Sequence, residues 1–343
     1  MKKFLFVCTG NGEFAHLKPL IRKVQKEGHK AIVVVSDNIV PIIRAEEIDD
    51  MDFDIFGFND YDVLGRLTVL CDFYKIDAVV AMPSRGWLIN WQRPKSVKVA
   101  VTIETNLQFR GVGGSYKLDK VYPEWMDYFL IPWHPEMLER ALYSHYKITS
   151  LEGYPDLQQK VKAIGWVPSN IEKGIPNKEN YAFSYFGSAN TANEGILQHL
   201  ADAYFEVEGT RGLIAIGNDI VTGNFPRMEI YPAVKDYDSL LANAREVYLH
   251  EGYGSLIKCI ANKVPVMTFC AKTPIKQMEI QPLVDLGLAY KFDKPSTALD
   301  IDKNKLKEDI LKFREMRTEI RKKQEQYQMN GEDNFYKLIM EKL

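Results

Sequence analysis

A histidine and two glycines follow an apolar run in the second half of the chain. The run EVYL at residues 246–249 leads into HEGYGS at 250–255, where we expect a helix to begin at about Gly254 or Ser255. The first N–H groups of a helix have no partner within it and carry about half a positive charge, so they attract anions. This turn is therefore predicted to hold a diphosphate. The predicted contacts are an imidazole, two glycines that leave room and one hydroxyl, from His250, Gly252, Gly254 and Ser255.

The first apolar run, KFLFVC, ends in a second unusual loop, TGNGEFAHLKP at residues 9–19. Its glycines fit G-x-G-x-x-G/A, and Asp37 stands about where a ribose-binding acid would follow, which is typical of a dinucleotide site. Gly12 would equally serve any turn that brings the backbone close to a ligand. A dinucleotide site leaves His16 unexplained, and an imidazole at the mouth of a cleft can take a proton from a hydroxyl. Glu13 and Asp37 are candidate partners to orient it.

A third loop, YFGSAN at residues 185–190, lies between an apolar run and a helical pattern. Gly187 allows a close approach, and free amides at a helix start attract phosphate. Ser188 could instead be an ordinary helix cap. The loop is consistent with both a phosphate contact and a simple cap.

The elements that would position these loops alternate along the chain. Short β-branched runs extend from Lys3–Cys8 to Val161–Ile164, and a second series extends from Tyr181–Phe186 to Ala289–Phe292. Helical patterns such as Leu17–Glu27 separate them, which predicts parallel sheets covered by helices on both faces. We expect an α/β protein of two doubly wound, Rossmann-like domains. They would be joined by the linker VPSNIEKGIPNKEN and would face each other across a cleft.

Composition excludes several classes of protein. Hydrophobic residues make up 46% and charged residues 26%, as in a globular protein, and the net charge of -2 argues against a dedicated grip on nucleic acid. No apolar run is long enough to span a membrane. The four cysteines show no paired spacing. We expect a cytoplasmic protein with reduced thiols, and one that could also contact a membrane peripherally.

The ordered set of motifs resembles the GT-B glycosyltransferases, namely the UDP-glycosyltransferases and the lipid-linked peptidoglycan N-acetylglucosaminyltransferase. HEGYGSLIKCIANKVPVMTF, followed by Lys276-Gln277 and LVDLGLAYKF, is similar to their donor-binding signature. The loop with His16, the segment KAIGWVP and the loop YFGSAN match further parts of the pattern in order. The matches cover almost the whole chain.

The resemblance implies that the two domains bind different substrates. Residues 1–168 would form an acceptor-binding domain, residues 178–319 a nucleotide-sugar-binding domain, and residues 320–343 a helical segment that packs back on the first. A sugar would pass from a nucleotide-diphosphate donor, with a UDP-sugar favoured, to an acceptor hydroxyl with inversion and without a metal. His16 would act as the base, with Glu13 beside it. The donor would contact Gly12, Gly187, Ser188, His250, Glu251, Gly252, Gly254, Ser255, Lys258 and Gln277.

Three positions depart from the family's pattern. Lys258 stands where the family has a ribose-binding Glu, Lys276 replaces the acid before Gln277, and Met82 replaces an acid after an early strand. An ammonium only donates hydrogen bonds, so it cannot replace a carboxylate. We expect either that Glu251 or Glu279 takes the ribose or that the donor is not an ordinary UDP-hexose. Lys258 would contact a phosphate or one of these two carboxylates.

The acceptor is indicated only by the stretch PSRGWLINWQRPKSVK at residues 83–98. It places Trp87 and Trp91 beside Arg85 and other cations. Such interleaving suits a membrane interface with a lipid-linked acceptor, a stacked nucleic acid, or a plain element with buried indoles. The alternative functions are a sugar-nucleotide epimerase or hydrolase of the same fold, an NAD-dependent dehydrogenase, and a sugar-binding protein without catalysis.

Overall fold

The structure, a computed structural model, describes most of the chain. The described residues are 1–8, 11–36, 40, 53–58, 63–82, 91–103, 125–137, 159–168, 181–186, 195–207, 211–216, 221–231, 237–271, 274–295 and 300–343. The chain forms two compact units, one of Met1–Ser169 with Met329–Leu343, the other of Asn170–Gln328. Element labels below number the described helices and strands in chain order.

The first unit contains a seven-stranded parallel sheet in the order β3-β2-β1-β4-β5-β6-β7. Because chain order reverses between β1 and β4, their carboxyl ends form a topological switch point. The strands are β1 Lys3–Cys8, β2 Lys30–Ser36, β3 Phe53–Phe58, β4 Ala78–Met82, β5 Val99–Ile103, β6 Tyr128–Ile131 and β7 Val161–Ala163. Between them in the chain, the structure describes in full the helices α1 Asn11–Lys26 and α2 Val63–Tyr74.

Helix α1 buries one stripe of apolar side chains against this sheet. Phe14, Leu17, Ile21 and Val24 are fully buried at spacings of three and four, as the helical period requires. The helix begins at Asn11 and not at Leu17, as the sequence had suggested. Pro19 lies inside it, where proline removes one backbone hydrogen bond but does not end the helix.

The second unit contains a six-stranded parallel sheet in the order β10-β9-β8-β11-β12-β13, with its own switch point between β8 and β11. Its strands are β8 Tyr181–Tyr185, β9 Gly212–Ile216, β10 Met228–Tyr231, β11 Glu246–His250, β12 Val266–Ala271 and β13 Tyr290–Lys294. Its helices are α3 Ile196–Val207, α4 Tyr237–Asn243, α5 Tyr253–Asn262, α6 Pro274–Asp285 and α7 Lys303–Glu325. The expected class, an α/β protein of two Rossmann-like domains, is confirmed.

The C-terminal helix returns to the first unit, as expected, but later than residue 320. Ile320 packs in the core of the second unit, and the buried amide of Gln324 donates to the carbonyl oxygens of Val264 and Leu288. Residues 320–328 therefore belong to the second unit because their side chains are anchored there. The return is made by α8, Gly331–Met340, which adds Phe335 and Ile339 to the first core.

Candidate active site

The carboxyl ends of β8 and β11 bring two aromatic rings together at the switch point of the second sheet. The strands pair directly, with Tyr185 opposite Leu249. His250 ends β11, and its ring centroid lies 5.5 Å from that of Tyr185 in an edge-on arrangement. Ligands of doubly wound sheets bind at such a reversal of strand order. The sequence-based expectation for His250 thus falls at the place where the topology predicts a ligand.

Helix α5 begins directly after this strand, and its N-cap residue is a glycine. Gly252 is the N-cap, with φ -92° and ψ 109°, and makes no side-chain cap hydrogen bond. The first helical residue is Tyr253, so Gly254 and Ser255 lie within the first turn and not at its start. Gly252 has no side chain that could accept from a first-turn N–H, as Ser, Thr, Asp or Asn does at many N-caps, which favours an anionic ligand there.

Gly252 is required for reasons of space. A Cβ at this position would lie 2.6 Å from Cε1 of the His250 ring. Its φ is one that any residue adopts, so backbone strain plays no part. The missing side chain accommodates the imidazole beside the helix start.

Tyr237 links the first turn of α4 to the first turn of α5. Its hydroxyl donates to Oγ of Ser255 over 3.1 Å, and its ring stands edge-on to Tyr185 at 5.3 Å. Burial raises the pKa of Tyr237 far above its ordinary value, so it remains a donor. The hydroxyl of Ser255 is thereby fixed in position at the helix start.

Lys258 has an acidic partner that the sequence did not indicate. Its Nζ lies 2.6 Å from Oδ1 of Asp238, on the first turn of α4, and 5.1 Å from the ring centroid of Tyr237. Lys258 was expected to contact a phosphate or the carboxylate of Glu251 or Glu279. The structure pairs it with Asp238 instead of Glu251, the side chain of Glu279 lies outside the described residues, and the phosphate contact stays a prediction.

Glu251 is paired with a lysine from the edge of the sheet. Its carboxylate lies 3.6 Å from Nζ of Lys294, the last residue of β13. The two side chains are only 9% and 3% exposed. Because the charge of Glu251 is already balanced within the protein, a ribose contact by this residue stays a prediction that no contact in the structure supports.

In the first unit, the candidate base lies inside a helix. His16 is on the second turn of α1, three residues after Glu13, so the two half-buried side chains share one face. Gly12 is in the first turn. Helix α1 starts beyond β1, next to the switch point, where Met82 ends β4 and is 5% exposed. An imidazole and a carboxylate, the groups needed for proton transfer, therefore lie near the carboxyl ends of the strands. They are on helix α1 and not in the expected loop.

Several predicted contacts lie outside the described residues, namely Asp37, Arg85, Trp87, Gly187 and Ser188. Gln277 and Lys276 fall in the first turn of α6, after β12, and their side chains also lie outside the description. Within the described part of the chain, no group of three or more His, Cys, Asp or Glu could hold a metal ion. No described helix is long and apolar enough to cross a membrane.

Trp91 is a core residue and not an acceptor contact. It is 3% exposed, packs edge-on against Trp125 at 5.0 Å, and donates its indole N–H to Oγ1 of Thr68. The nearby Arg93 donates to the Asp127 carboxylate and to backbone carbonyls. Of the three alternatives for residues 83–98, the structure supports the plain element with a buried indole at Trp91.

Comparison with known proteins identifies the fold. No protein-family model matches the sequence, and no curated protein sequence matches it significantly. Similar solved structures include Phytolacca americana UGT2 with UDP-2-fluoroglucose and pterostilbene (TM-score 0.72, 12% identity, all of both chains covered). Others are the kitacinnamycin glycosyltransferase (TM-score 0.67, 14%, 99% of each chain) and S. aureus MnaA with UDP (TM-score 0.67, 11%, 97% of this chain and 94% of that one).

These similarities define the class of structure. The chain has the two-domain GT-B fold, which it shares over almost its whole length with structures described as glycosyltransferases. At 11–14% sequence identity, the similarity to these structures establishes the fold. The resemblance of the sequence motifs had predicted this fold.

Proposed function

We propose that the protein is a glycosyltransferase that moves a sugar from a nucleoside diphosphate, with a UDP-sugar favoured, to an acceptor hydroxyl. The observation that carries the proposal is the turn from β11 into α5, where a helix start with glycine as its N-cap lies beside His250 at a switch point. Two similar structures hold UDP or a UDP-sugar analogue. Both support a nucleotide diphosphate as the ligand.

The second unit would bind the donor and stabilise the leaving group. Negative charge builds up on the departing diphosphate, and the N–H groups of the first turn of α5 would donate to it. Ser255, held by Tyr237, and His250 would add donors. Gly187, Ser188 and Gln277 remain predicted contacts with the donor.

The first unit would supply the base. The acceptor oxygen attacks the anomeric carbon, the bond from that carbon to the diphosphate breaks, and His16 takes the hydroxyl proton. A single in-line displacement inverts the anomeric configuration. Glu13, on the same face of α1, would orient the imidazole.

Binding and rate measurements test the proposal separately. UDP at 100 times its Kd should raise the free energy of unfolding by about 2.7 kcal/mol, and NADH should have no such effect. His16→Ala should lower kcat by about 10²–10⁴-fold and leave UDP affinity intact. Lys26→Ala, at the exposed far end of the same helix, is the control and should behave like the parent.

Other outcomes would point elsewhere. UDP release or sugar epimerisation without any acceptor would indicate a hydrolase or epimerase of the same fold. Stabilisation by NADH but not by UDP would contradict the proposal in favour of a dehydrogenase. Equal losses of affinity and rate in His16→Ala would exclude His16 as the base.

A further inference from the structure

The ion pair of Lys258 and Asp238 joins helices α4 and α5 beside the proposed donor site. Its N–O distance is 2.6 Å, and the two side chains are only 16% and 19% exposed. Removing both charges from water carries a cost that a surface pair does not have. The ring of Tyr237 packs against the ammonium at 5.1 Å. The pair is thus a fixed polar feature and not a mobile surface contact.

Its contacts connect the pair to the start of α5. Tyr237 contacts Lys258 through its ring and Ser255 through its hydroxyl. Lys258 follows Ser255 by three residues, so the two share a face and are separated by about 4.5 Å along the helix axis. A ligand whose diphosphate lies at the helix start would place its next group about one helical turn away, near Asp238.

The chemistry of the pair suits a sugar diol. A carboxylate only accepts hydrogen bonds and has room for about four, so a bond from Lys258 does not exhaust it. The two hydroxyls of a ribose are donors that a single fixed carboxylate can bind together. An acidic side chain serves this purpose in other doubly wound folds.

We infer that Asp238 accepts hydrogen bonds from the ribose hydroxyls of the nucleotide, and that Lys258 is the positioning residue that holds its carboxylate. The inference rests on the proposed function, because it concerns the same donor. It transfers the ribose contact from α5, where the sequence has Lys258, to the first turn of α4. The protein should therefore prefer ribonucleotides over their 2′-deoxy forms.

Calorimetry of matched nucleotides measures this preference. UDP is compared with 2′-deoxy-UDP, and GDP with 2′-deoxy-GDP, so that the result does not depend on the base. For the nucleotide that binds, we expect the ribose form to bind about 10- to 100-fold more tightly, as for hydrogen bonds to a charged group. Asp238→Asn should reduce this ratio to nearly 1 and still bind both forms through α5.

Variants of Lys258 test the positioning role. Lys258→Met should lower the ribose preference, because nothing then holds the carboxylate of Asp238 in place. Lys258→Arg should retain the preference, because it keeps a cation at this position. Asp285→Asn, an exposed carboxylate at the far end of α6 that bonds Gln281, is the control and should keep the full ratio. These lysine variants keep the inference testable if Asp238→Asn does not fold.

Each outcome decides between explanations. Equal binding of ribose and deoxyribose forms by the parent would overturn the inference and leave the proposed function standing. An unchanged ratio of ribose to deoxyribose affinity in Asp238→Asn would also overturn the inference. If Asp238→Asn bound both forms more weakly with no change in this ratio, the pair would be assigned to the phosphates instead. Failure of the parent to bind any nucleoside diphosphate would overturn the proposed function itself.

Discussion

The ring of His250 occupies the space that a side chain on Gly252 would need, at 2.6 Å from the position of its Cβ. The Gly252→Ala variant should therefore turn the imidazole away from the start of α5. If His250 contacts the donor phosphates, UDP affinity should fall about tenfold or more, as on loss of a hydrogen bond to a charged group. Calorimetry with UDP measures the loss.

A second glycine separates this effect from general destabilisation. Gly28 has φ +79° and open space around its would-be Cβ, so Gly28→Ala strains the backbone without touching the candidate site. We expect it to lower the free energy of unfolding by about 1–2 kcal/mol and to bind UDP like the parent. UDP affinity unchanged in Gly252→Ala would exclude His250 as a phosphate contact.

The buried pair of Glu251 and Lys294 should be costly to break. Lys294→Met leaves a carboxylate that is 9% exposed without its cation, and we expect a loss of about 3–5 kcal/mol of unfolding free energy. Glu251→Gln with Lys294→Met should lose much less than the sum of the single variants. Urea denaturation measures all three.

Lys291→Met provides the matched control on the same strand. Lys291 pairs with Asp293 at 3.1 Å, but that carboxylate is 38% exposed. Lys291 also donates to Oε1 of Gln281 at 2.8 Å. Because the Asp293 side chain keeps access to water, we expect Lys291→Met to cost about 1–2 kcal/mol, less than Lys294→Met. Similar losses for the two lysine variants would show that burial of the Glu251 pair has no special energetic role.

The sequence predicted most buried strands because apolar, β-branched runs mark them directly, as in β1, whose bounds were correct. Strand β3, FDIFGF, was not predicted, because an aspartate and a glycine interrupt its pattern and it pairs with β2 at the edge of the sheet that the structure describes. Helix α6 was missed for a similar reason, since Pro282 lies inside it. Local signals fail where the neighbouring structure stabilises an element.

The candidate site, like the fold, has features that the sequence predicts and features that it does not. The turn at His250 could be predicted because glycine spacing and strand ends are local features. The pairing of Lys258 with Asp238 could not, because 20 residues separate them and contact depends on how α4 packs on α5. Trp91 misled for this reason too, since only packing shows that its indole is buried.

His29 predicts a pH dependence of stability in the first unit. Nδ1 accepts the backbone N–H of Lys2 at 3.1 Å, and Nε2 lies 2.9 Å from the Tyr336 hydroxyl. Burial, with help from the N-terminal ammonium and Lys2, lowers the pKa of His29 below its ordinary 6.5, although Glu27 and Asp77 oppose this. The unfolded chain then binds the proton more tightly, so stability is full above about pH 6.5 and falls as the pH drops towards the lowered pKa.

Two variants test this assignment by urea denaturation between pH 7.5 and 5. In His29→Asn the titrating group is gone, so the loss of stability in this range should be smaller than in the parent. Tyr336→Phe keeps the imidazole and should be less stable at every pH with the parent's slope. The same slope in His29→Asn and in the parent would place the pH dependence elsewhere.

The last prediction concerns the close contact of α8 with the segment before the linker. A Cβ on Gly331 would lie 2.6 Å from the carbonyl oxygens of both Gly165 and Trp166, and the N–H of Gly331 donates to the latter over 3.1 Å. Alanine at a helical position is ordinarily better than glycine by about 1 kcal/mol, yet these oxygens belong to the backbone and cannot turn aside. We therefore expect Gly331→Ala to destabilise the protein by about 1–3 kcal/mol, with increased hydrogen exchange confined to α8 and its contacts. Lys337→Ala, an exposed position of the same helix, should change stability by less than about 0.5 kcal/mol. A more stable Gly331→Ala would mean that helix propensity outweighs the close contact at this position.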